Sequence, residues 1–226
     1  MSLRIGDIAP DFVGVTTHGP IHFHQWLGDS WGLLFSHHKD FTPVCTTELG
    51  SLAQRQAEFD LRNVKLIGLS IDELDDHFRW LADIAEITGK GIAYPIIADE
   101  DGSIAERYEM IPGSALLNCP SGSSQTVRCV YFIGPDKRIK AEIAYPQTTG
   151  RDFDEVLRMI DSIQLADQHP VVTPAEWEFG EDVVIAPGLS NELALERFPE
   201  GWREIAPYIR VIPQPDKKRK KKPEVA

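Results

Sequence analysis

The chain has 226 residues, 42% hydrophobic and 26% charged, enough for one medium domain with an extension and for a core that needs no disulfide or metal to hold it. Its formal net charge is −12, and because Asp216–Ala226 carries six basic and two acidic residues the rest stands near −16, which argues against nucleic acid and anionic lipid as partners. Met1–Pro10 lacks an apolar h-region, no stretch approaches the roughly 20 apolar residues of a membrane span, and the three cysteines (Cys45, Cys119 and Cys129) suit a reducing cytoplasm without stable membrane association.

Trp31–His37 is a short, nearly continuous apolar run, the pattern of a buried strand. Cys45–Phe59 follows as a helix, with Leu49, Leu52, Ala53, Ala57 and Phe59 near one face. Val64–Ile71 is a second strand, and Ile71-Asp72-Glu73 opens a helix to Thr88 whose apolar face is set by Phe78, Leu81, Ile84 and Ile87. Tyr94–Ala98 is a third strand, and Ser103–Met110 a helix with Asp101 or Ser103 as its cap. Thr126–Gly134 is a fourth strand; Gly134–Lys137 has turn chemistry, and Ile139–Tyr145 pairs back as a fifth. Arg151–Leu165 is the last helix of this part, with Asp152 or Asp154 favouring the dipole at its start.

This order predicts an α/β fold, a mixed sheet with helices on both faces, over residues 1–167. From 168 to 215 the composition changes. Seven prolines between Pro170 and Pro215 are too many for a regular sheet, whereas Trp177, Phe179, Phe198, Trp202 and Tyr208 are too apolar for free disorder. A smaller C-terminal domain that helps build a homodimer is expected there. Residues 216–226 read as a basic, disordered tail, and its Lys217–Lys222 run as solvated rather than a nuclear address or an anion-binding arm.

The stretch that carries chemistry is Phe35-Ser-His-His-Lys-Asp-Phe-Thr-Pro-Val-Cys-Thr-Thr-Glu48. A strand ends at His37, a short loop follows, and Cys45 falls where the next helix begins. The N–H groups of a helix's first turn are unpaired and its dipole is positive there, so an anion such as a thiolate is favoured. Thr42 can turn its hydroxyl towards the sulfur or an oxygen beside it. Pro43 holds the turn without a competing N–H. No CxxC pair or His/Cys cluster with metal-ligand spacing occurs, so no metal is expected.

Asp40-Phe-Thr-Pro-Val-Cys-Thr-Thr-Glu48 resembles the peroxidatic motif of the one-Cys peroxiredoxins, and the resemblance continues through Thr126–Gly134, Tyr145–Glu155 and the Trp/Pro-rich segment to about Pro215. It implies a thioredoxin-like fold and a homodimer able to assemble further into rings. It also implies hydroperoxide reduction through a cysteine sulfenic acid, without metal or organic cofactor, with an external thiol or comparable reductant closing the cycle. Carried over, Cys45 is the peroxidatic cysteine, Thr42 the hydroxyl partner of the peroxide and Arg128 the arginine that holds sulfur and peroxide. Arg151 supports the site with Glu48 orienting it, His37 lies beside the pocket, and Pro43 and Val44 complete its wall. His38 departs from the family pattern, which has proline there; a histidine is larger and titrates near neutrality, so an altered pH dependence or peroxide preference is expected. Cys129 reads as a core residue, while Cys119 is a minor candidate for a disulfide.

Gly28-Asp-Ser-Trp-Gly32 also fits G-x-S-x-G, but a nucleophile elbow follows a strand, and Ser30 precedes one. Some one-Cys peroxiredoxins are associated with a calcium-independent phospholipase A2 activity, and Ser30, His24 and Asp136 match its serine, histidine and aspartate. A peroxide sensor or holdase built on Cys45 oxidation is the remaining alternative.

Overall fold

A computed structural model describes residues 3–112 and 125–216. Cys119 and the Lys217–Lys222 run lie outside these residues. The described residues form two compact units that divide after Phe153.

The first unit is built on a seven-stranded mixed sheet. Its strands are β1 (Val13–Thr16), β2 (Gly19–His22), β3 (Trp31–Ser36), β4 (Val64–Ser70), β5 (Ile96–Ala98), β6 (Arg128–Ile133) and β7 (Ile139–Tyr145), in the order β2-β1-β5-β4-β3-β6-β7. β3, β4 and β5 run parallel, with β3 and β4 in register from Trp31↔Val64 to Ser36↔Leu69, while β6 is antiparallel to β3 with Phe35 opposite Val130. Every residue of β3 and β6 is buried, so these central strands have no polar face, as their near-continuous apolar sequence requires. Among the described residues four helices accompany the sheet: α1 (Phe23–Leu27), α2 (Pro43–Asp60), α3 (Leu74–Thr88) and α4 (Ser103–Arg107). Phe23 and Leu27 of α1 and Ile104 and Ala105 of α4 share one apolar cluster with Leu34, Ile67, Leu69, Ile97 and Tyr131. α2 and α3 pack beside each other, α2 against β4 and α3 against β5.

Two expectations differ in the structure. The buried face of α3 is His77, Trp80 and Ile84; Phe78 and Ile87 are 49% and 70% exposed. Positions three apart drift around a helix that turns every 3.6 residues, so the apolar residues alone give the wrong stripe. The N-cap position of α4 is Gly102, in the left-handed conformation, rather than Asp101 or Ser103, although Asp101 Oδ1 accepts the Ser103 N–H at 3.0 Å. The Asp99 carboxylate, at the end of β5, accepts the N–H groups of Ile104 and Ala105. The hairpin β1–β2 precedes the first strand read from the sequence; β2 pairs with β1 at the edge of the sheet, where Pro20 is tolerated.

The second unit contains α5 (Phe153–Gln168, which lends it all but its first residue), β8 (Val171–Val172), β9 (Val183–Ile185), α6 (Asn191–Arg197), β10 (Arg203–Ala206) and β11 (Ile209–Ile212). Contrary to the expectation from its prolines, it holds a regular antiparallel sheet, β10-β11-β9-β8. The strands are two to four residues long and all seven prolines fall between or beyond them. Leu165, Val171, Trp177, Val183, Ile185, Ala194 and Ile212 form its own core, with Trp177 fully buried. Among the described residues no helix is long and apolar enough to cross a membrane.

Candidate active site

β3 delivers the chain to a loop, residues 37–42, that feeds directly into α2. Thr42 is the N-cap residue, Pro43 the first helical position, and Cys45 lies in the first turn. The first intrahelical bond runs from Thr46 N–H to the Thr42 carbonyl at 3.0 Å, so the N–H groups of Val44 and Cys45 lie ahead of the helical ladder. The Cys45 thiol is fully buried. Arg128, the first residue of β6, reaches across from the adjoining strand and donates from Nη1 to Cys45 Sγ at 3.2 Å.

Glu48, one turn further along α2, ties the remainder together. Its Oε2 accepts from Arg128 Nη1 at 2.5 Å and from Arg151 Nη2 at 2.8 Å. Its Oε1 accepts from the Arg151 backbone N–H at 2.8 Å and from Arg151 Nε at 3.0 Å. Arg128 is fixed from the other side by the Gln147 carbonyl, which takes Nε and Nη2 at 3.1 Å each. Arg151 donates further to the carbonyls of Ser36 and Cys129 and lies over the Phe35 ring. Two buried guanidinium groups and one buried carboxylate leave one positive charge uncompensated. A thiolate at Cys45 completes the neutral set, with the α2 dipole acting in the same direction. Glu48 therefore orients both arginines, one more than expected.

The Thr42 hydroxyl donates to the Lys39 carbonyl at 2.8 Å, so its hydrogen is committed to the loop rather than turned to the sulfur. What it offers an oxygen nearby is a lone pair. A Cβ placed on Gly150 would meet Val44 Cγ1 at 3.5 Å, which sets Val44 against the turn that carries Arg151. His38 is half-buried, with Nδ1 3.4 Å from the Thr126 carbonyl. Cys129 is buried and its thiol is pushed up to about 12 by desolvation, with Glu142 adding to the effect, which keeps it unreactive.

His37 does not act alone. Asp40 accepts from His37 Nε2 at 2.7 Å and from His77 Nδ1 at 2.6 Å, and all three side chains are buried. No metal-capable grouping is visible along the chain; folding brings these three ligand-type side chains within 4.8 Å of one another. The 2.6 and 2.7 Å separations are hydrogen bonds, so protons already occupy the positions a cation would need. Asp40 and His77 are not legible in the sequence because the residues lie 37 positions apart and apolar spacing points to the wrong face of α3.

The three phospholipase-like positions serve other ends. Ser30 Oγ donates to Asn63 Oδ1 at 3.0 Å, and Asp136 Oδ2 holds Lys140 Nζ at 2.9 Å. His24 Nε2 lies 2.8 Å from the Ala9 carbonyl, an acceptor only, so that nitrogen carries a proton and cannot take one from a serine. Gly28 closes α1 at φ 57°, and a Cβ on Gly32 would lie 2.9 Å from Leu27 Cδ1, so both glycines of the motif have local structural reasons.

Comparison with known proteins agrees with this geometry. The AhpC/TSA family matches residues 5–142, and the C-terminal domain of 1-Cys peroxiredoxin matches residues 162–203. The 1-Cys peroxiredoxin of Dictyostelium discoideum is 49% identical over 215 residues, covering 95% of this chain and 87% of that protein. Peroxiredoxin-6 of Rattus norvegicus is 48% identical over 222 residues, 94% of this chain and 98% of its own. The crystal structure of a cysteine-to-serine mutant of the peroxiredoxin 6 of Arenicola marina superposes with a TM-score of 0.88 at 44% identity, covering 95% and 100% of the two chains. A yeast mitochondrial 1-Cys peroxiredoxin, solved in a study of thiol resolution via glutathione and thioredoxin systems, gives 0.86 at 46% identity, covering 93% and 99%.

Proposed function

As the chain belongs to the AhpC/TSA family, in its 1-Cys peroxiredoxin branch, and is a thiol-dependent peroxidase with a thioredoxin-like fold, we propose that Cys45 is the sulfur that attacks the hydroperoxide and that Arg128 and Thr42 are its partners in the reaction. The Cys45–Arg128 contact inside a buried set that lacks one negative charge carries this reading.

The Cys45 thiolate attacks the terminal oxygen of the hydroperoxide. The S–O bond forms as the O–O bond breaks, and the departing alkoxide or hydroxide takes a proton to leave as alcohol or water. Charge moves from sulfur to the leaving oxygen, and the Arg128 fork can follow it while Glu48 and the Gln147 carbonyl keep the guanidinium in place. The Thr42 lone pair accepts the hydroperoxide O–H. The product is Cys45 sulfenic acid. Because Cys129 is buried with a raised pKa, an external thiol closes the cycle: one thiol displaces water to form a mixed disulfide, and a second thiol releases reduced Cys45. A small thiol or a thioredoxin-type dithiol fits this role, in keeping with the glutathione and thioredoxin systems that serve the yeast mitochondrial relative. The exposed Leu193, Leu195, Ile205 and Tyr208 of the C-terminal unit support pairing of two chains through that unit.

The test is steady-state peroxide consumption with glutathione or thioredoxin. Loss of turnover in both Cys45→Ser and Arg128→Ala supports the assignment; full turnover in Arg128→Ala overturns the role of Arg128.

A further inference from the structure

Asp40 and His77 stand outside the hydrogen bonds that join Cys45, Arg128, Glu48 and Arg151, yet they are tied to both ends of the segment that presents the thiol. Asp40 lies two residues before the N-cap of α2. Its carboxylate bridges His37 and His77, and its backbone N–H donates to Asp72 Oδ2 at 3.0 Å, at the start of the β4–α3 connection. One turn along α3 from His77, the Trp80 indole N–H donates to Thr46 Oγ1 at 3.1 Å, and that hydroxyl donates to the Thr42 carbonyl at 2.9 Å. The Trp80 ring also packs on the His37 ring, centroids 5.1 Å apart. A single turn of α3 thus grips the loop before Cys45 and the turn that contains it. Between the two grips stands Phe41 at φ 55°, a left-handed conformation that is unfavourable for a non-glycine residue and persists only where its surroundings impose it.

The protonation states follow from the partners. His77 Nδ1 faces a carboxylate and Nε2 faces the Ile97 carbonyl at 3.2 Å; neither acceptor supplies a proton, so His77 carries both and is an imidazolium. His37 donates from Nε2 to Asp40, its Nδ1 has no partner, and it is neutral. The charges facing one another are therefore His77⁺, Asp40⁻ and, beside them, Asp72⁻, with neutral His37.

We infer that Asp40 and His77 are positioning residues of the peroxidase, an ion pair that holds the 37–42 loop and the first turn of α2 in the conformation that presents Cys45 to the hydroperoxide. This rests on the reading of Cys45 as the attacking sulfur.

The pair has a defined pH window. Burial disfavours the His77 cation, but the hydrogen bond and charge of Asp40, with the Ile97 carbonyl and Asp72, outweigh it and raise its pKa above 6.5. Burial opposes the Asp40 anion too, but His37 and His77 outweigh it and lower its pKa below 3.8. The raised histidine contributes fully below about 6.5 and is lost as pH climbs through its folded value, while the lowered carboxylate is lost only in strong acid. The loop loosens on the alkaline side, where an ordinary thiol grows more reactive. The two trends have opposite signs.

The experiment is single-turnover oxidation of Cys45 by hydrogen peroxide, followed by stopped flow from about pH 6 to about pH 10 in wild type, His77→Ala and Asp40→Asn, with Cys45→Ser as control. In Asp40→Asn the amide oxygen accepts from His37 and the amide nitrogen donates to a neutral His77, which keeps the shape and removes the ions. Wild type is expected to slow as His77 loses its proton, Asp40→Asn to lose that alkaline fall, and His77→Ala to be about 10- to 100-fold slower near neutrality. A folded His77→Ala with the wild-type rate, or an unchanged alkaline fall in Asp40→Asn, overturns the inference; if His77→Ala does not fold, the profile of Asp40→Asn decides alone. Oxidation persisting in Cys45→Ser contradicts instead the reading of Cys45 beneath it.

Discussion

Glu48→Gln is the most informative change at the site, because shape is kept while charge and two acceptors go. The carboxylate receives four N–H groups, two on each oxygen. A glutamine amide offers one oxygen, so whichever way it turns, two donors face its NH2 group. Breaking a buried, hydrogen-bonded ion pair from one side costs about 3–5 kcal/mol. For a chain of this size that lowers the melting temperature by about 6–20 °C. The catalytic effect separates two ideas. The substitution raises the positive charge around the sulfur, so if net field were the whole of catalysis oxidation would speed up. Arg128 loses the group that orients it, however, and oxidation is predicted to be about 100-fold slower. Scanning calorimetry and stopped-flow oxidation by hydrogen peroxide measure both quantities. A melting temperature within about 2 °C of wild type with a rate at or above it would refute the reasoning.

Arg128→Lys retains charge but not the fork, and is expected to lose about 10²- to 10³-fold in oxidation rate, read by the same stopped-flow assay. In a Cys119→Ser background, iodoacetamide should label Cys45, whose sulfur is held by the Arg128 guanidinium, and leave Cys129 untouched in the native state at neutral pH, since the Cys129 thiol is pushed up to about 12; intact mass distinguishes one label from two. Gly50→Ala puts a methyl against the Thr88 side chain where α2 meets α3, and should cost about 1–3 kcal/mol in denaturant unfolding. His38→Pro removes the Thr126 contact and should alter the pH–rate profile; an unchanged profile assigns His38 no part in it.

The active site is more fully legible in the sequence than the frame around it. Cys45 is legible from its local pattern, an apolar strand, a short loop and a proline opening α2, whereas Arg128, Glu48 and Arg151 are reached through the resemblance to the one-Cys peroxiredoxins, since either arginine taken alone reads as a surface salt bridge. What stays hidden needs information from elsewhere in the chain. The edge hairpin β1–β2 lies before the first strand the sequence suggests, and seven prolines mask a C-terminal sheet whose strands are only two to four residues long. Asp99, just after β5, accepts the N–H groups of Ile104 and Ala105 in α4, from a position earlier than the one where a cap is sought. His77 is a polar residue on the buried stripe of α3, and apolar periodicity looks past such a residue to Phe78 and Ile87 on the solvent side. The Asp40–His77 pair is invisible for that reason rather than for lack of a local signal at Asp40.

The central claim is that one sulfur, held by one arginine, performs the reaction. Reduced protein mixed with one equivalent of hydrogen peroxide, quenched over milliseconds to seconds and weighed intact, tests it most directly. The predicted result is a rapid gain of one oxygen located on Cys45, absent in Cys45→Ser and strongly slowed in Arg128→Ala. A product that has instead lost two hydrogens, or a gain of oxygen no faster than that of a free thiol, would contradict it.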